Sequence, residues 1–137
     1  MGTTYVDITL KNAGDVIMEA RGFMKKPEIR QTTIRVVADT GADTLVINES
    51  VRKTLGLEIV GPADAWLANG VNEDCSYTEP VEVHWKDRFM ICQPWVIPTA
   101  PDVLLGAIPL ENMDLIVDPV DQCVVGKHGD KQVRYIR

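Results

Sequence analysis

A chain of 137 residues with 45% hydrophobic and 25% charged residues reads as one soluble domain, residues 1–137, large enough to bury a core without disulfides. Its 14 basic and 20 acidic residues leave a net charge of −6, and no basic stripe carries interleaved aromatics, which excludes a nucleic-acid partner. Cys75, Cys92 and Cys123 are odd in number and far apart, which argues against a disulfide framework or a zinc site and for a reducing, cytoplasmic setting.

The N-terminus lacks the basic and apolar regions of a signal peptide, and no apolar run approaches the ~20 residues needed to span a bilayer, so no membrane association is expected. In chain order, Tyr5–Leu10 alternates as a strand, Asn12–Asp15 turns, and Val16–Ala20 continues as a second strand. Gly22–Pro27 reads as a hairpin tip carrying Lys25 and Lys26, and Ile29–Ala38 as a strand. Leu45–Ile47 is a further short strand. A helix then runs from an Asn48 N-cap to a Gly56 stop, with Val51 and Leu55 on its inner face.

Asn69-Gly70, after Ala65-Trp66-Leu67-Ala68, is a strong hairpin signal. Residues 77–85 alternate, with Val81, Val83 and Trp85 opposite Glu82 and His84, and Phe89–Ile97 is another apolar strand. Pro109 opens a second short helix reaching Met113, since proline suits a first helical turn. Leu115–Asp118 and Cys123–Val125 form a hairpin around residues 119–122, and residues 132–136 read as a last strand at a subunit contact. Many short strands with two brief helices predict a mainly β fold, a small closed barrel.

Asp39 stands out because it lies between two apolar runs, Ile34–Ala38 and Leu45–Ile47, where an unsatisfied carboxylate is costly. Thr40 supplies a hydroxyl beside it, and Gly41 permits a tight turn and close backbone approach. Other chemistry has little support. His84 lies on a polar strand face, no Ser or Cys sits in a nucleophile elbow, and Gly126-Lys127-His128-Gly129 lacks the elements of a phosphate-binding loop. Asp118, Asp121 and Asp130 lack calcium-loop spacing, and the turns around them and His128 read as solvated.

The stretch Val37-Ala38-Asp39-Thr40-Gly41-Ala42-Asp43-Thr44, with Leu104-Leu105-Gly106 and a following helix, resembles the retropepsin-like aspartic proteases over residues 34–118. The resemblance implies a barrel of the acid protease type and hydrolysis of a peptide or protein substrate, with no metal or organic cofactor. It implies Asp39, Thr40 and Gly41 as the catalytic triplet, with Thr40 bonding across a two-fold axis. Ala42 and Asp43 would line the cleft floor, while Trp66, Leu67, Ala68, Asn69, Gly70 and Val71 would form a flap over substrate. Leu104, Leu105 and Gly106 would support the catalytic loop from beneath.

Amide hydrolysis by carboxylates needs two of them, one to activate water and one to donate a proton. The chain has one Asp-Thr-Gly, and Asp64, Asp74, Asp102 and Asp114 lack its context, so a homodimer is expected to supply the second Asp39. Retroviral members follow the second glycine with Arg-Asn, whereas Ala107-Ile108 stands here. The ion-pair network around Asp43 is therefore expected to be absent or rebuilt. The alternative reading is a dimerisation or peptide-binding module of the same fold with little turnover.

Overall fold

The computed structural model describes residues 2–66, 72–133 and 136. β1 (Tyr5–Asn12) turns Val6, Ile8 and Leu10 inward at every second residue, the pleat expected of a half-buried strand. It pairs antiparallel with β2 (Gln31–Ala38), from Tyr5 opposite Val37 to Lys11 opposite Gln31.

The predicted strand Val16–Ala20 is instead part of a helix, α1 (Ala13–Ala20). Asn12, read as the start of a turn, is its N-cap: Oδ1 accepts the Asp15 amide at 3.1 Å while Nδ2 donates to Leu55 O at 2.8 Å. The buried Asp15 carboxylate then receives the Arg30 amide at 3.0 Å, with Arg30 Nε and Nη2 at 2.8 and 2.9 Å. A consecutive apolar run such as Val16-Ile17-Met18 suits either period, and here the cap and the Asp15 anchor decide for helix. The segment read as a hairpin tip becomes a turn followed by a 3-10 helix, Lys26–Glu28.

β3 (Leu45–Ile47) leads into α2 (Glu49–Leu55), where Asn48 Oδ1 caps Val51 N at 3.0 Å and Gly56 stops the helix at φ 63°. Both ends fall where the sequence placed them. β4 (Ile59–Trp66) and β5 (Asn72–Thr78) form an antiparallel ribbon closed by the pair Trp66 and Asn72. The single alternating run predicted over 77–85 is broken at Pro80, so β6 (Val81–Trp85) leaves β5 and pairs with β1. The run predicted over 89–97 is likewise split at Pro94 into β7 (Arg88–Cys92), beside β6, and β8 (Trp95–Val96), between β3 and β5. Proline cannot donate to a ladder, which is why both long runs end there.

β9 (Leu104–Leu105), α3 (Ala107–Asn112) and a hairpin of β10 (Leu115–Asp118) and β11 (Cys123–Gly126) follow. Nine strands form one sheet in the order β4-β5-β8-β3-β9-β2-β1-β6-β7, and β10-β11 form a second. The large sheet curls into a half-barrel of the retropepsin type, with β4 and β7 as its edges. Ile8, Leu10, Leu45, Ile47, Leu55, Leu57, Leu105 and Met113 fill its interior, each fully buried. Of the tail read as a last strand, residues 132, 133 and 136 are outside any strand, and 134 and 135 lie outside the described residues.

Candidate active site

The two-residue strand β9 fixes the geometry around Asp39. It lies parallel to β2, with Val37 opposite Leu104 and Ala38 opposite Leu105, and antiparallel to β3, with Leu45 opposite Leu105. It therefore threads between the two strands joined by the loop 39–44. Val37 N donates to Val103 O at 2.9 Å and Asp39 N to Leu105 O at 3.0 Å, while Ala38 N donates to Thr4 O at 2.9 Å. The chain entering the loop is thus held from both sides.

Within the loop, Gly41 N donates to Asp39 Oδ1 at 2.9 Å and Ala42 N to Asp39 O at 3.1 Å. The first of these orients the carboxylate. Beyond it, the loop carbonyls meet the start of α3: Ala107 N donates to Ala42 O at 2.7 Å and Ile108 N to Asp43 O at 2.9 Å. These amides would otherwise be orphans of the helix terminus. Gly106 makes the approach possible. A Cβ there would lie 2.6 Å from Ala42 O, 2.7 Å from Thr44 N and closer still to Thr44 O. Leu104-Leu105-Gly106 lies against the loop.

Asp39 is half-buried, Ala42 partly so, and Thr40, Gly41 and Asp43 are exposed. Asp39 and Thr40 line an open cleft of about 1440 Å³, whose walls include Thr3, Thr4, Leu110, Asn112 and Ile116. Asp43 forms no ion pair among the described residues, so the retroviral network around it is absent there. Trp66 closes the described part of the β4–β5 ribbon, and Leu67, Ala68, Asn69, Gly70 and Val71, the expected flap, lie outside the described residues. Among the described residues no group of three or more His, Cys, Asp or Glu converges as a metal site would require.

Asp114 shares the cleft wall with Asp39. It is buried, and its Oδ2 lies 2.7 Å from His128 Nδ1 and accepts Val133 N at 3.0 Å. Burial alone would raise its carboxyl, but those two hydrogen bonds, with the charges of His128 and Arg88, hold it below the ordinary carboxylate range. Its Oδ2 thus binds the C-terminal segment at two points. The reading of the His128 turn as merely solvated is corrected accordingly: at 128 the chain is bonded to a buried acid. Nothing in the order of residues signals this, since Asp114 and His128 meet only when the chain folds back.

A search of curated proteins finds no match to this chain. Residues 26–108, more than half of the chain, match the family model described as aspartyl protease. That span runs from the 3-10 helix through β2, the Asp39 loop and the β4–β5 ribbon to the first turn of α3, the elements that build and support the loop. With the curled half-barrel and the Asp-Thr-Gly turn wedged over β9, it places the chain in the retropepsin-like aspartyl protease family.

Proposed function

We propose that the protein is a homodimeric aspartic endopeptidase whose active site pairs Asp39 of one protomer with Asp39 of its partner. The observation that carries this reading is a single Asp-Thr-Gly loop, backed by β9 and α3, whose carboxylate faces an open cleft. Two such carboxylates brought together cannot both ionise cheaply, so the pair holds one proton. The ionised member takes a proton from water as it attacks the peptide carbonyl. The protonated member donates to the developing oxyanion, and return of a proton to the leaving nitrogen completes cleavage.

Gly41 N, already bonded to Asp39 Oδ1, holds the carboxylate plane during these transfers. Thr40 bonds across the two-fold axis, and Ala42 with Asp43 meets the backbone of an extended, largely apolar peptide. The segment Trp66–Val71 closes over it and limits water access. Cleavage peaks at mildly acidic pH, because ionising both members removes the acid. The protein works in the cytoplasm.

Asp39→Asn tests the reading. The variant should keep its circular dichroism spectrum and its dimeric sedimentation at micromolar concentration while losing cleavage of a diverse peptide mixture. Retained cleavage in the pure variant would overturn the mechanism. A wild-type dimer that binds peptides without cutting them would establish the binding-module alternative, and a strict monomer would remove the shared dyad.

A further inference from the structure

Arg88 opens β7 and is only 3% exposed. Its Nη1 donates to Met113 O at 3.0 Å and to Asp114 O at 2.8 Å, and its Nη2 donates to Gly129 O. The first two acceptors lie just past the C-terminal end of α3, where Met113 is the cap residue and Asp114 takes up a left-handed φ of 56°, and Gly129 follows β11. Gly126 lets this turn close beside the guanidinium: a Cβ there would meet the backbone Gly129 O first, then Nη2, and would lie 3.0 Å from Cζ. Arg88 forms no ion pair among the described residues, and its buried Nε has no hydrogen-bond partner there.

The Trp85 ring lies 5.6 Å from Cζ and the charge favours the Asp114 carboxylate, but the buried Nε is left unsatisfied, which costs free energy. What the guanidinium does supply is a fixed position for the end of α3. That helix is six residues long, and its opposite end donates Ala107 N and Ile108 N to the carbonyls of Ala42 and Asp43. One turn and a half of helix thus links the Arg88 clamp to the Asp39 loop. No arginine follows Gly106 to brace the loop directly, and Asp43 has no ionic partner among the described residues.

We propose that Arg88 is a positioning residue for the Asp39 loop, acting through α3: it pins the C-terminal end of the helix so that the N-terminal end holds the loop in register. The inference rests on the protease reading only where it predicts activity, so the experiment pairs an activity measurement with one that needs no catalysis.

Backbone amide exchange is followed in the full chain for Arg88→Met and Arg88→Lys. In Arg88→Met the amides of Ala107, Ile108 and Ala42 should exchange about ten-fold faster, the scale set by loss of a hydrogen-bonded restraint, while those of Ile8 and Val36 stay protected. Arg88→Lys, which can still reach one carbonyl, should restore part of the protection. With a cleavable peptide, kcat should fall by about ten-fold while KM changes little, because a disoriented carboxylate impairs chemistry more than binding.

Faster exchange confined to residues 113–133, with Ala107, Ile108 and kcat unchanged, would overturn the proposal and leave Arg88 a local support. If Arg88→Met does not fold, Arg88→Lys carries the same two readouts: faster exchange at Ala107 and Ile108 with a lower kcat supports the proposal, and wild-type values for both overturn it. If wild type cuts no peptide, the exchange result still stands alone, and the protease reading fails separately.

Discussion

At position 106 a single methyl group would collide with the loop that carries Asp39. The atoms it would meet, Ala42 O, Thr44 N and Thr44 O, are all backbone, so no side chain can swing aside to accept it. Gly106→Ala should therefore destabilise the fold by about 2 kcal/mol, the scale of an overpacked core site, and should suppress cleavage beyond what stability explains. Urea denaturation with a parallel activity assay checks both, and an alanine variant with unchanged midpoint and rate would refute the packing argument. The residues around Asp39 were legible in the sequence because their types are unusual in their setting: an acid between apolar runs, then glycines where backbones must touch. Arg88 was not legible. It falls between the two runs read as strands, 77–85 and 89–97, and only the arrival of Met113, Asp114 and Gly129 makes it a buried clamp.

The helices α2 and α3 were readable from their ends, because caps are local and Asn48, Gly56 and Pro109 act within one turn of themselves. α1 was not, since its cap also serves a distant partner. Asn12 joins the first turn of α1 to Leu55 O, a buried carbonyl at the end of α2. Removing both bonds at once should cost about 2 kcal/mol, so Asn12→Ala is expected to lower the denaturation midpoint with little change in its slope. A loss below a few tenths of a kcal/mol would mean that water replaces both partners. Strand ends followed the same division. Alternation identified the inward faces of β1 and β6, yet Pro80 and Pro94 sent β6 and β8 to neighbours far from those before them in the chain.

For the whole molecule, two buried carboxylates set the acid limit. Hydrogen bonds from Arg30, opposed by burial, hold Asp15 below the ordinary carboxylate value of 3.8, and Asp114 is lowered by His128 and Val133 against its own desolvation. A carboxyl with a lowered folded-state pKa binds its proton more readily in the unfolded chain. Its contribution is complete above the unfolded value and lost as pH falls through the folded one. Thermal midpoints should accordingly drop as pH is lowered from about 5 to about 2, and Asp15→Asn or Asp114→Asn should flatten the drop. A wild-type midpoint that stays level across that range would show that neither group is linked to folding.

The family, the mainly β architecture and the Asp39 loop with its Leu104-Leu105-Gly106 support were all contained in the order of residues. Each depends on neighbours close in sequence, or on two short motifs whose types survive any reading of what lies between. The insertion of β9 between β2 and β3, the helical fate of residues 13–20, and the Arg88 and Asp114 network depended on the folded chain. They arise from contacts between residues 14 to 67 positions apart, or from a capping residue whose second bond is remote, and burial of a charge becomes visible only once those partners have met.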